Sequence, residues 1–228
     1  MPTTFGSNVL RFYKSLQAPK LPKGVLVMNP YTNADTLAIV KQFTDKFYND
    51  STKRILVLGI NPGRIGGGST GVNFTDPVAL EQFCGIKNEL LKKRELSSEF
   101  IYNFIEHYGG PKKFYKSFFL SAISPLGFTK NGLNYNYYDD ADLLKATEAF
   151  IVTTLKQQIA LGASTKAVVL FGTGKNLKAF TELNTKHHFF EKVYALEHPR
   201  FIMQYKRKQL PQYLNKYSEV FSKALKNK

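Results

Sequence analysis

An apolar run, Ile55-Leu56-Val57-Leu58, passes without a break into Gly59-Ile60-Asn61-Pro62-Gly63, and this junction constrains the fold more than any other segment. Consecutive apolar residues leave no polar face, so the run predicts a strand covered on both sides, as in a parallel sheet under helices. Downstream lie a glycine cluster, Gly66-Gly67-Gly68, then Thr70-Gly71-Val72 and Phe74. Open α/β sheets present ligands to the carboxyl ends of their strands, which places Asn61 at the binding edge. Glycines let backbone approach a ligand closely and turn N–H groups toward an anion. With a backbone cradle from the glycines and Phe74 as an aromatic cover, the segment predicts a pocket for a planar heterocycle. It lacks the Gly-Lys-Ser/Thr ending of a phosphate-binding P-loop and the G-x-G-x-x-G opening of a dinucleotide site. A solvent-exposed glycine turn without a ligand is the other reading of the same residues.

The rest of the 228 residues alternates in the same way. Helices are expected over about 6–17, where Leu10, Tyr13 and Leu16 share a face, over 35–48 and over 98–108, and after Asp139-Asp140 to about 160. A short helix opens at Asp76-Pro77, since Asp caps well and Pro suits the first helical position. Gly109-Gly110-Pro111 is expected to end a helix, another begins near Lys175, and a basic helix closes the chain. Strands are expected over 25–28, 54–59, 117–123, 166–172 and 192–196, the last four forming the core. Together these predict an α/β fold, a three-layer αβα sandwich with a central four-stranded parallel sheet. No repeat, low-complexity tract or composition break divides the chain, so one domain over 1–228 is expected.

Charge and cysteine usage narrow the partners. Lys and Arg number 32 against 17 Asp and Glu, a net charge of +15 that suits a polyanion, nucleic acid first. One cysteine, Cys84, excludes an intramolecular disulfide framework and a Cys-ligated iron–sulfur cluster, and points to a reducing compartment. His107 and the pair His187-His188 make no zinc spacing with it, so no metal is expected. No apolar run reaches the length of a membrane span, and Met1 to Phe5 carry no secretory pattern. The expectation is a cytoplasmic monomer without membrane association, close to the nucleoid in a bacterium.

Each of the four core strands ends in polar or glycine-rich sequence, so four loops should meet on one rim. Asn61 and His198 each lie just past a strand end. A histidine before a proline is as readily a plain loop residue as a functional one, and its place on this rim is what raises it as a site.

Taken together, Gly59-Ile60-Asn61-Pro62-Gly63, Thr70-Gly71-Val72 with Phe74, and the distal His198-Pro199 resemble the uracil-DNA glycosylase superfamily, and within it the single-strand-selective monofunctional branch. Asn29-Pro30, Gly85-Ile86 and Pro125-Leu126 with Phe128 extend the resemblance over about residues 5–215. The Asn-Pro-Gly block with its downstream Thr-Gly-Val and Phe is the specific part.

The resemblance implies an enzyme that flips uracil out of DNA and hydrolyses its N-glycosidic bond without a cofactor. Asn61 would orient the attacking water, and His198, as a neutral imidazole, would donate to the developing uracil anion. Phe74 would stack on the flipped base, backbone at Ile60, Pro62, Gly63 and Arg64 would line the pocket, and Arg200-Phe201-Ile202-Met203 would supply the wedge that fills the vacated stack. In two places the chain departs from the branch. Ala122 stands where the branch has an Asn that reads the uracil edge, so Ser121, Ser124 or backbone would have to read it. After His-Pro, Arg200-Phe201-Ile202 replaces Ser-Pro-Arg. Phosphate contacts are expected from Arg64, from Gly172-Thr173-Gly174-Lys175 and from Lys206 and Lys208 beside Arg207. The glycine loop also reads as an ordinary strand-to-helix turn, and the basic run as a solvated helix face. The alternative function is a non-catalytic nucleic-acid or nucleotide-binding α/β module.

Overall fold

The computed structural model describes residues 3–228. Met1 and Pro2, the start of the segment read for a leader, lie outside the described residues. Strand β1 (Val25–Met28) precedes β2 (Arg54–Gly59), which is buried at every position. On one side β2 pairs in parallel with β3 (Phe118–Ala122), on the other with β6 (Ala163–Phe171), and β7 (Lys192–Leu196) completes the order β3-β2-β6-β7. The connections run through α1 (Phe5–Ser15), α2 (Ala34–Phe47), α3 (Gly67–Thr70), α4 (Pro77–Gln82), α5 (Leu96–Tyr108), α6 (Pro111–Ser117), α7 (Ala141–Ala160), α8 (Lys175–His187), α9 (Pro199–Tyr205) and α10 (Leu210–Leu225). Helices cover both faces of the four-stranded parallel sheet, which is the expected three-layer arrangement.

Local chemistry accounts for where elements start and stop. Thr4 and Ser7 cap α1 reciprocally, and its buried stripe is Phe5, Val9, Phe12 and Tyr13 with Leu16 just beyond it; Tyr13 and Leu16 face inward as expected, and Val9 rather than Leu10 completes the face. Gly109 ends α5 and Gly110 opens α6, with φ of 110° and 92° and Pro111 in the first turn, so the expected helix stop is also a start. Arg54 at the head of β2 is fully buried; the Asp50 carboxylate grips its guanidinium at 3.0 and 2.9 Å, and the rings of Phe5 and Tyr48 flank it. A buried cation held in this way avoids the cost of an uncompensated charge.

The largest departure from expectation is a second sheet. Strands β4 (Gly127–Lys130) and β5 (Leu133–Tyr135) form a hairpin, and β1 adds antiparallel to β4, giving the order β1-β4-β5. Asn131 and Gly132 turn the hairpin with φ of 51° and 73°, the left-handed pair that a two-residue turn demands. The hairpin lies against the loop after β2: a Cβ on Gly127 would stand 2.5 Å from the Pro62 carbonyl oxygen and 2.4 Å from Met28 Cε.

Candidate active site

The loop after β2 carries Phe74 to the pocket in a strained conformation, with φ of 57°. Thr70 holds that turn together: its hydroxyl donates to the Thr75 carbonyl at 2.7 Å and accepts from Val72 N at 3.1 Å. The phenyl ring then lies across the end of β2, where a Cβ on Gly59 would come within 2.4 Å of Phe74 Cζ. Phe171, the last residue of β6, meets the ring edge-to-face at 5.3 Å. Gly59 is therefore required for close approach, and the aromatic face is clamped between two strand ends.

Asn61 is fixed from the hairpin side. Its Oδ1 accepts from Tyr137 N at 3.1 Å, and its Nδ2 donates to the Tyr135 carbonyl at 3.3 Å. These two backbone partners set which way the amide points. They leave one lone pair on Oδ1 and one N–H on Nδ2 for a water or substrate.

His198 caps α9. Its Nδ1 accepts from Arg200 N at 3.2 Å, which places the ring proton on Nε2. Burial, and secondarily the Arg200 charge, lowers its pKa from 6.5 to about 4. The imidazole is thus neutral at physiological pH and carries a single N–H donor. Its ring centroid lies 5.9 Å from that of Phe74. A cavity of about 250 Å³ joins these groups, lined by Gly59, Ile60, Asn61, Pro62, Gly63 and Phe74 from the first loop and by Ala122, His198 and Arg200 from other strand ends.

Several sequence-predicted residues lie elsewhere. Ser121 is fully buried and donates to Gln158 Oε1 on α7, so it does not face the cavity. Ser124 is equally buried and donates to the Leu126 carbonyl at 2.7 Å, closing its own turn. Neither hydroxyl is placed to read a base. The Ala122 carbonyl is also engaged, by Gln158 Nε2 at 3.2 Å. Ile202 is fully buried in the core and cannot enter a DNA stack, because α9 turns that side inward. Phe201 and Tyr205 project from the same helix, 43% and 65% exposed, with ring centroids 5.3 Å apart. Arg64, Thr173, Gly174, Lys175, Arg200 and Lys208 are exposed, while Gly172 and Lys206 are partly covered. Arg207 pairs with Glu99 through two hydrogen bonds, at 2.9 and 3.0 Å.

The cavity also contains residues that the sequence reading did not single out. Asn73, Glu95, Ser97, Asn134 and Asn136 add to its lining. Burial and the nearby Asp76 raise the Glu95 pKa, against the lowering effect of Ser97 and Arg200. Asn134 Oδ1 accepts from Arg64 N at 3.2 Å and ties the hairpin to the glycine loop. The Asn131-Gly132 dipeptide was the available signal for the hairpin; nothing in the local pattern marks Glu95.

A clamped aromatic face, an imidazole with one ring N–H and an oriented amide thus meet at the carboxyl edge of a four-stranded parallel sheet. The uracil DNA glycosylase superfamily matches residues 46–222, and the chain belongs to that superfamily of DNA repair glycosylases. Among solved structures, the crystal structure of wild-type Pedobacter heparinus SMUG2 superimposes with a TM-score of 0.95 and 44% sequence identity over 100% of both chains. No curated protein gives a match.

Proposed function

We propose that the chain excises uracil from DNA, hydrolysing the N-glycosidic bond and leaving an abasic site. Breaking that bond gives a cation-like sugar and a uracil anion: the base leaves with the bonding electrons, water adds its oxygen to the sugar carbon and sheds a proton to solvent, and the released anion takes up a proton from solvent. His198 Nε2–H donates to the developing anion without giving up its proton. One preorganised donor of this kind contributes on the order of 3–4 kcal/mol to a transition state. Asn61 accepts a hydrogen bond from the attacking water on its spare Oδ1 lone pair. An amide orients that water but does not deprotonate it, which suits a reaction whose electrophile is already a developing cation. Phe74 stacks on the extruded base.

The observation that carries this reading is the state of His198. An imidazole lowered to about 4 and hydrogen-bonded through Nδ1 is a fixed neutral donor, not a general acid. Extruding a base costs a few kcal/mol. Extrusion leaves a gap that Phe201, exposed two residues past Pro199, fills in this reading. Arg64, Lys175, Arg200, Lys206 and Lys208 supply positive charge for the phosphates. A uracil-containing oligonucleotide, incubated with the protein and then treated with alkali, tests the proposal. Strand breakage at uracil only after alkali supports it. Binding without any alkali-labile product overturns it in favour of a non-catalytic module.

A further inference from the structure

Glu95 supplies the single carboxyl group that lines the cavity among the described residues, and neither strand-end motif accounts for it. Its position is built. Asp76 caps α4 by accepting from Ala79 N on Oδ1 at 2.8 Å, and with Oδ2 accepts from Glu95 N at 2.9 Å. That shared carboxylate pins the backbone at the head of α5. The Glu95 side chain does not cap α5 but turns back over the glycine loop. A Cβ on Gly66 would stand 1.9 Å from Glu95 Oε2, and one on Gly63 would stand 3.2 Å from Oε1. Glycine at these positions makes room for the carboxyl group.

A carboxylate that merely anchored the loop would collect the loop's N–H groups. Here Arg64 N goes to Asn134 and Gly68 N to the Gly63 carbonyl, and among the described residues no Lys or Arg closes an ion pair with Glu95. Of the amides that share the cavity, Asn61 and Asn134 already accept on Oδ1, from Tyr137 N and Arg64 N, while Asn73 and Asn136 are tied through Nδ2 to Tyr13 Oη and Asp139 Oδ1. Ala122 contributes only a methyl group.

Resting on the reading that an extruded base fills this cavity, we infer that the Glu95 carboxyl group recognises the base by accepting its ring lactam N–H, which makes Glu95 a specificity-determining residue. Uracil presents such an N–H at N3. Cytosine presents a bare N3 lone pair to the same oxygen and is repelled. Thymine carries the same N3–H, so this contact does not separate it from uracil. A carboxylate has acceptor oxygens only, so it offers the bare N3 of cytosine no donor.

Single-turnover excision from matched oligonucleotides bearing uracil or N3-methyluracil tests the inference. Wild type should release uracil at least about tenfold faster than the N-methyl base, as expected when a buried acceptor loses its donor. Glu95→Ala should slow uracil release by about tenfold or more and bring the two rates together. Glu95→Gln keeps an acceptor oxygen and should keep the discrimination. A purely structural Glu95 would slow both substrates alike and leave their ratio unchanged. That result, or an unchanged uracil rate in Glu95→Ala, overturns the inference. Should Glu95→Ala fail to fold, Glu95→Asp decides the question in the same way, because it withdraws the carboxyl by one methylene and keeps its charge. A wild-type protein that releases no uracil at all would sink the reading of the pocket itself, an outcome distinct from uracil release without Glu95-dependent discrimination.

Discussion

The two walls of the cavity are held by different physics. Phe74, Ala122 and His198 sit at or beside the ends of parallel strands, and Phe74 is clamped by Gly59 beneath it and Phe171 at its edge. The other wall, made by Glu95, Asn134 and Asn136, hangs on hydrogen bonds at the end of the hairpin and at the head of α5. Asn61 joins the two, with its backbone on a strand end and its amide on the hairpin. In the proposed reaction the strand-end wall carries bond breaking, and it is rigid because the core is rigid. The hydrogen-bonded wall can vary without touching the core, which suits it to base selection.

The largest effect should follow from truncating the strand-end wall at its donor. His198→Ala should cut single-turnover uracil excision by roughly 10²–10³-fold, equivalent to about 3–4 kcal/mol, while DNA binding stays within about twofold. Equal loss of binding and excision would break the division between the walls. Next comes the aromatic face. Phe74→Ala should slow excision by roughly 10–100-fold, since a stacked base contributes about 1–3 kcal/mol. Gly59→Ala should act in the same direction, because the added methyl displaces the Phe74 ring that stands 2.4 Å away. An unchanged rate in either variant would remove Phe74 as the base platform.

These walls also differ in how far they were legible in the sequence. Asn61, Phe74 and His198 stood out because an apolar run that stops at a polar residue marks a strand end, and strand ends of a parallel sheet converge. The parallel sheet was legible for the same reason. The hairpin was not, because β4 and β5 are four and three residues long with mixed polarity, too short for alternation to show. Glu95 lies at the head of α5, and only tertiary packing turns its side chain into the cavity. Ser121 and Ser124 failed as base readers because a serine at a buried strand end satisfies its hydroxyl internally before it can reach a ligand. Ile202 failed as a wedge because helix α9 has an inner and an outer face, and residue order alone did not say that Phe201 takes the outer one.

Smaller effects are expected where the walls join and at the rim. Asn61→Ala leaves Tyr137 N–H and the Tyr135 carbonyl without their partner, so denaturant unfolding should show a loss of about 1–2 kcal/mol in addition to the damaged chemistry. An unaltered midpoint would detach the hairpin from Asn61. Lys175→Ala and the pair Lys206→Ala with Lys208→Ala should weaken binding to uracil-containing and normal DNA alike. Each lysine that neutralises a phosphate should, when removed, reduce the slope of log affinity against log salt by about one. A slope that stays fixed would place those lysines off the DNA path. Phe74→Ala, by contrast, should leave the slope intact.

If a neutral His198 donor drives uracil release, the pH dependence of single-turnover excision should carry its signature. The folded pKa of about 4 lies below the ordinary 6.5, so between those values the unfolded imidazole takes up a proton that the folded one refuses. Stability from this group is therefore complete above pH 6.5 and is lost as the pH falls toward 4. Within the range where the protein stays folded, the histidine should not titrate out of its active form until near pH 4. Measured from pH 8 downward on a uracil-containing oligonucleotide, the excision rate should hold level to about pH 5 and fall only near 4, and His198→Ala should abolish that acid limb. A rate that halves near pH 6.5 in wild type, or no alkali-labile product at any pH, would rule the neutral donor out.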